Sequence, residues 1–268
     1  MTAAHCAIAL SSGAVVVYGI TNLTSPGLSV SANVAGSIVH ESYDTDITRA
    51  NDIAVLTLAS SFSGVDPARV SGSQPSESLA AEFGWGNGSP SLRIALVDVV
   101  DHDTCRREFG VFPEDGVCMQ RAGPTTVCQG DSGSPSAWIG AFGNTGQIDI
   151  RGVLALPSWG ASCLRESALS VFVNLSHHEK WLDRATIASE TCGWDSACIG
   201  NITNGTVLES MGVHSTPSVH QNASGATNDA PPAPSLRASF DLANAAVLRG
   251  SRMGVLFLTI GITFMINN

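Results

Sequence analysis

Cys128-Gln129-Gly130-Asp131-Ser132-Gly133-Ser134-Pro135 is the stretch of this chain whose reading decides the rest. A serine hydroxyl is a poor nucleophile at neutral pH. It needs a base within hydrogen-bond reach, and donors aimed at the oxyanion it creates. Glycines on both sides of Asp131-Ser132 let the backbone turn tightly, expose the hydroxyl and converge N–H groups on one point. A lone G-D-S-G tetrapeptide arises by chance often enough to carry little weight. Here two other segments accompany it. Thr2-Ala3-Ala4-His5-Cys6 offers the candidate base, and Asn51-Asp52-Ile53-Ala54-Val55-Leu56 the carboxylate that would orient it. Taken singly, a histidine beside a cysteine is usually structural and an aspartate before an apolar strand is usually a turn residue. In the order His5, Asp52, Ser132 they form one constellation for nucleophilic catalysis.

That order, with these flanking residues, resembles the trypsin/chymotrypsin family of serine proteases (peptidase S1). The resemblance covers about residues 1–187. Gly84-Trp85-Gly86 is similar to the family's glycine-tryptophan-glycine turn. Ser158-Trp159-Gly160 is similar to the segment that pairs with substrate and whose serine supports the triad aspartate. The helical spacing of Ser176–Ile187, with Trp181 and Leu182 inside it, fits the family's closing helix. The resemblance implies an all-β fold of two six-stranded antiparallel β-barrels of chymotrypsin type, the first incomplete in this chain, with a C-terminal helix.

It also implies roles. His5, Asp52 and Ser132 would be the catalytic triad, the N–H groups of Gly130 and Ser132 the oxyanion hole, and Ser158, Trp159 and Gly160 part of the substrate-binding surface. Asp131 resembles the residue that pairs with an N-terminal amine freed by zymogen cleavage. Cys105 would pair with Cys118 and Cys128 with Cys163. Thr126 stands at the position matching the base of the S1 pocket, where a neutral hydroxyl would not select Lys or Arg. Ser162 and Ser170 match pocket-wall positions where the family often has glycine. The implied activity is that of a secreted or cell-surface serine endopeptidase acting on proteins or peptides through an acyl-enzyme, with no cofactor and no metal. The competing reading is a catalytically inactive homologue that binds partners through the same fold.

Composition agrees with a β-rich extracellular protein. Only 13% of residues are charged and glycine is frequent (27), which suits a domain of short strands and tight turns. Ala14–Tyr18, Ser37–His40, Ile53–Leu58, Leu92–Val100, Gly152–Leu156 and Val171–Val173 read as strands, separated by turn-rich clusters at 24–27, 71–76, 84–91 and 143–146. The formal net charge of −10, without any basic run, argues against a nucleic-acid partner. Seven cysteines contain no C-x-x-C pair, so a zinc site is not expected. Sequons begin at Asn22, Asn87, Asn174, Asn201, Asn204 and Asn222, fitting a glycosylated protein.

After residue 187 the composition shifts. Residues 188–244 are rich in Ser, Thr, Asn and Pro and read as a glycosylated stalk, with Cys192 and Cys198 close enough to close a small loop. Residues 245–268 read as a C-terminal hydrophobic signal for GPI attachment: small residues Asn244-Ala245-Ala246, a short spacer, then the apolar Met253–Ile266. The alternatives are a short membrane anchor or a frayed apolar tail.

Two departures from the family pattern stand out. No signal peptide is visible at Met1, and the family's propeptide, activation site and first strands are expected to lie upstream of a truncated start. Cys6 is then left unpaired, its expected partner lying upstream, and a chain beginning at Met1 is expected to fold poorly and to be inactive. The second departure is Ser134, where the family usually carries glycine; the sequence alone does not say whether its hydroxymethyl group disturbs packing behind the site.

Overall fold

The computed structural model describes residues 1–25, 29–46, 48–62, 68–70, 79–86, 88–121, 127–139, 150–160 and 169–205, with the short pieces 247–249 and 255–256. Two β structures face each other. The first is a five-stranded sheet. Its centre is β1 (Val15–Tyr18), β2 (Val30–Val39) and β3 (Ala54–Leu58), antiparallel neighbours in chain order. The outer edge of β1 carries β10 (Val247–Arg249), which pairs in turn with β11 (Val255–Leu256). Most of Met253–Ile266 lies outside the described residues.

The second structure is a closed barrel. Its strands are β4 (Leu79–Gly84), β5 (Arg93–Val100), β6 (Gly116–Arg121), β7 (Ser136–Ile139), β8 (Ile150–Gly160) and β9 (Leu169–Asn174), joined in the order β4-β5-β6-β9-β8-β7. Closure leaves no unpaired strand edge. Its interior is filled by Ala80, Val97, Met119, Trp138, Leu154, Ala155 and Phe172. Alternation accounts for this in β5, where Ala95 and Val97 are buried while Asp98 is exposed. Short helix α2 (His102–Phe109) starts at Asp101, whose carboxylate accepts from Thr104 N–H at 2.9 Å. The Cys105–Cys118 disulfide ties α2 to β6.

A further core joins the two halves. Ile38 and Ile53 from the first sheet meet Val153, Leu156 and Val173 from the barrel, and Trp181, Leu182, Ala185 and Ala188 from α3 (Glu179–Thr191) close over them. This seam is where the candidate site lies.

The strands expected at Ala14–Tyr18, Ile53–Leu58 and Leu92–Val100 match β1, β3 and β5 within a residue or two. Three strands of the barrel were not legible, and neither were β10 and β11. β4 reads Leu79-Ala80-Ala81-Glu82-Phe83-Gly84, with alanines and an acid where β-branched residues would be expected. β6 begins on a glycine, and β7 is only four residues long. The turn regions 71–76 and 143–146 lie outside the described residues. The helix expected over Ser176–Ile187 is a 3₁₀ turn (Leu175–His177) followed by α3, which runs on to Thr191.

Packed structure continues past the compositional shift at 187. Helix α4 (Ser196–Thr203) folds back on α3. Asp195 caps its N-terminus, the Cys192–Cys198 disulfide bridges the turn, and Arg184 Nε donates to Thr203 O at 2.6 Å. Ile202 enters the seam core and is 2% exposed. Ile202→Ala should therefore cost about 2–5 kcal/mol in denaturant unfolding. A change below about 0.5 kcal/mol, typical of a solvated surface position, would place Ile202 on the stalk instead.

Candidate active site

Backbone pairing explains how the first residues reach Asp52. Thr2 bridges Ala54 through two hydrogen bonds, Thr2 N–H to Ala54 O at 2.9 Å and Ala54 N–H to Thr2 O at 2.8 Å. Ala54 opens β3, immediately after Asp52-Ile53. The short helix α1 (Ala4–Ile8) then turns His5 onto the carboxylate. His5 N–H donates to Asp52 Oδ1 at 2.8 Å, and the ring Nδ1 lies 2.6 Å from Oδ2. Ser158, from β8, donates its hydroxyl to the same Oδ2. Asp52 is completely buried, whereas the His5 side chain is 24% exposed. With Nδ1–H committed to Asp52, Nε2 is the ring atom left free to accept a proton on the open side.

The loop carrying Asp52 is anchored from behind. Asn51 adopts φ 58°, a left-handed conformation that Asn tolerates, and its N–H donates to Asp115 Oδ2 at 2.8 Å. The same oxygen lies 2.9 Å from His178 Nε2 at the start of α3. Burial alone would raise the Asp115 carboxyl, but the bonds from His178 and Asn51 hold it below its ordinary value. Neither Asp115 nor His178 stood out in the sequence. A Glu-Asp pair in a turn and a His-His pair carry no pattern.

The Ser132 turn sits across the seam from this pair. Asp131 N–H donates to Cys128 O at 3.0 Å, Ser134 N–H to Asp131 O at 3.0 Å, and Gly133 N–H to Pro157 O of β8 at 2.9 Å. Gly133 has φ 75°, and a Cβ there would lie 2.3 Å from Thr2 Oγ1 and 2.7 Å from Ala3 N. Only glycine allows the turn to rest against the strand leading to His5. The Cys6 thiol reinforces the approach by donating to Ser132 O at 3.6 Å. The structure thus joins His5, Asp52 and Ser158 by direct bonds and brings Ser132 alongside through backbone packing. Among the described residues no hydrogen bond links the His5 ring to Ser132 Oγ. The Ser132 side chain is partly exposed. Among the described residues nothing accepts from the N–H groups of Gly130 and Ser132, although the N–H groups of Asp131, Gly133 and Ser134 are all taken.

Asp131 points away from solvent. Its Oδ1 accepts from Gly86 N–H at 2.8 Å and its Oδ2 from Cys128 N–H at 2.9 Å. A Cβ on Gly84 or Gly86 would stand 1.8 or 2.2 Å from this carboxylate, so the Gly84-Trp85-Gly86 turn exists to admit it. Burial pushes the Asp131 carboxyl up to about 6, against the opposing effect of those two N–H donors. Ser134, the departure flagged above, is accommodated: its hydroxyl donates to Glu82, a buried acid of β4 that also accepts from Ser136. The signal for Glu82 was present in the sequence as an acid inside an apolar run.

Next to Ser158 in β8, Trp159 Nε1–H donates to Thr48 O at 3.1 Å and the indole meets Phe109 edge-on at 4.9 Å. Gly160 pairs with Ser170, close enough that a Cβ would lie 2.8 Å from Ser170 Oγ. Thr126, Ser162 and Cys163 lie outside the described residues. Cys128 is disulfide-bonded. Cys6 is a buried free thiol, pushed up to about 12 by burial and then by Asp52.

Against known proteins, the family model described as Trypsin matches residues 1–182. The chain belongs to the trypsin family of serine proteases. It is 31% identical over 203 residues to Trypsin Blo t 3 of Blomia tropicalis, covering 68% of this chain and 71% of that one. It is 28% identical over 204 residues to Trypsin zeta of Drosophila melanogaster, covering 68% and 69%, and 30% identical over 201 residues to Chymotrypsin-C of Bos taurus, covering 69% and 73%. Among solved structures, neuropsin, described as a serine protease expressed in the limbic system of mouse brain, shares the fold. Its TM-score is 0.56 at 24% identity, over 68% of this chain and 82% of that one.

Asp131 generates a pH prediction. Its pKa is higher in the folded protein than the ordinary carboxylate value, so the folded state holds its proton longer than the unfolded chain does. Stability from this group is complete below about pH 4 and is lost as pH rises through about 6. Relative to Asp131→Asn, the wild-type protein should lose on the order of 3 kcal/mol across that window. Denaturant unfolding of both proteins from pH 4 to pH 7 checks this. Parallel stability curves would show that the carboxyl is not perturbed.

Proposed function

We propose that the chain carries the catalytic apparatus of a serine endopeptidase, with Ser132 as nucleophile, His5 as general base and Asp52 as the group that orients His5. The observation that carries this reading is a buried Asp52 holding His5 from two sides, beside a glycine-flanked serine turn whose Gly130 and Ser132 N–H groups have no acceptor among the described residues. His5 Nε2 removes the hydroxyl proton as Ser132 Oγ attacks the substrate carbonyl. The imidazolium then protonates the leaving amine, and water repeats the sequence on the acyl-enzyme. Asp52, with Ser158 behind it, stabilises the imidazolium and fixes its tautomer. The N–H groups of Gly130 and Ser132 stabilise the tetrahedral oxyanion. Ser158, Trp159 and Gly160 supply a strand edge along which an extended peptide aligns.

By its position six residues before Ser132 in the sequence, Thr126 would give the specificity pocket a neutral hydroxyl at its foot, and Ser170, beside Gly160, would narrow the wall. A Lys or Arg side chain would be buried there without a counter-charge, so small or medium apolar side chains are preferred. The disulfides Cys105–Cys118 and Cys192–Cys198, with sequons at Asn22, Asn174, Asn201 and Asn204, support work outside the cell.

Ser132→Ala and His5→Ala, in the full-length processed protein, should each lower kcat by about four to six orders of magnitude on a peptide amide. Turnover within tenfold of wild type in either variant would remove that residue from the mechanism. Profiling the wild-type protein on a peptide library should find Lys and Arg disfavoured at the position before the cut. A strong preference for either would overturn the pocket assignment.

A further inference from the structure

Glu82 occupies the middle of β4, on the face it shares with Ala80, and Ala80 belongs to the barrel interior. It stands directly opposite Ser136 in the β4–β7 register. One carboxyl oxygen accepts from Ser134 Oγ and the other from Ser136 Oγ. Glu82 is 2% exposed, and both serines are completely buried. The structure therefore encloses an acid inside the barrel wall with both of its oxygens bound to hydroxyls.

No cation accompanies it among the described residues. On β5, Arg93 and Asp98 are exposed, and β7 carries no ionisable side chain. The ionisable group that acts on Glu82 is Asp131, a second buried acid. Burial first, and then Asp131, drive the Glu82 carboxyl well above its ordinary value, against the opposing effect of the two hydroxyl bonds. A buried charge in this position would be costly, while a protonated carboxyl is satisfied by accepting from one serine hydroxyl and donating its own O–H to the oxygen of the other.

The location gives this arrangement its consequence. Ser134 follows Ser132 by two residues, and its N–H closes the same turn through Asp131 O. Glu82 grips the downstream limb of the turn from inside the barrel, while Pro157 O holds Gly133 from the other side. We propose that Glu82, acting through Ser134, is a positioning residue for the Ser132 turn, holding it while protonated and loosening it on ionisation. This rests on Ser132 being the nucleophile. Ionisation would put like charge beside Asp131 within a dry wall. Relief would come from water reaching the carboxylate, and water that takes the place of Ser134 on it frees that hydroxyl and misplaces Ser132 and the donors beside it. Displacements of about 1 Å at a nucleophile can cost on the order of a hundredfold in rate.

The test compares wild type, Glu82→Gln and Glu82→Ala for kcat and KM against pH, alongside thermal midpoints over the same range. Wild-type kcat should fall on the alkaline side. Glu82→Gln, whose amide can bond both hydroxyls but cannot ionise, should lose that fall and keep most of the neutral kcat. Glu82→Ala leaves two buried hydroxyls without their acceptor. It should lower kcat at neutral pH by about tenfold or more, with KM within about threefold. A merely structural role would scale activity equally at every pH, so an alkaline fall shared by wild type and Glu82→Gln overturns the proposal. That comparison decides even where Glu82→Ala fails to fold. The thermal midpoints need no catalysis. A carboxyl raised in the folded state stabilises fully below about pH 4, and that stability is lost as pH rises toward the folded value. The wild-type midpoint should therefore drop relative to Glu82→Gln with rising pH, and parallel midpoints overturn the proposal. A full-length processed wild-type protein that hydrolyses nothing at any pH would instead sink the assignment of Ser132, and the midpoints would still judge Glu82.

Discussion

A fully buried carboxyl must be saturated with hydrogen bonds, and Asp52 meets that demand by drawing three parts of the chain together. The chain start contributes His5 N–H and Nδ1, and the barrel contributes Ser158 from β8. Were any of these donors withdrawn, a charge would be left unpaired in a dry seam, at a cost far above that of an ordinary lost hydrogen bond. The Thr2–Ala54 bridge and the Asn51–Asp115–His178 chain can both be understood as supports for this one group. They fix the backbone on either side of Asp52, so the carboxylate meets its donors from a loop that is already ordered.

The barrel's contribution is rigidity at the other side of the site. Closure of β4 to β9 supplies a wall from which Ser158 and the Ser132 turn project, and the Trp181 helix seals the seam between barrel and sheet. Behind the turn the wall is unusually acidic. Asp131 and Glu82 both lie in it, one held by backbone N–H groups and the other by serine hydroxyls. The two devices differ in kind. Asp131 sets the shape of the turn through glycines that leave room for it, whereas Glu82 ties the residue after that turn to a strand. Two buried acids close together favour protonation of at least one of them, so the support of the Ser132 turn has an electrostatic sensitivity that the exposed surface does not reveal.

The candidate triad was legible because chemistry constrains it tightly: a base, an orienting acid and a glycine-flanked serine, in one order. Strands with apolar alternation, such as Arg93–Val100, were legible for the same kind of reason. What escaped was set by tertiary context. Strand β4 contains Glu82 because two serines far along the chain receive it, and no local pattern announces partners so distant. Residues 188–205 read as solvated stalk on composition, yet a six-residue disulfide spacing and Ile202 suffice to fold α4 onto α3. The structural sense of Ser134 appeared only with its partner.

The most direct measurement concerns the hydroxyl itself. Incubating the full-length processed protein with a fluorophosphonate and mapping the adduct by peptide mass spectrometry asks whether one serine is activated by its surroundings. The account predicts a single adduct, on Ser132, that forms in the folded protein and is lost after unfolding or in Asp52→Ala. An adduct on another serine, or no adduct on Ser132 in the folded protein, would contradict it.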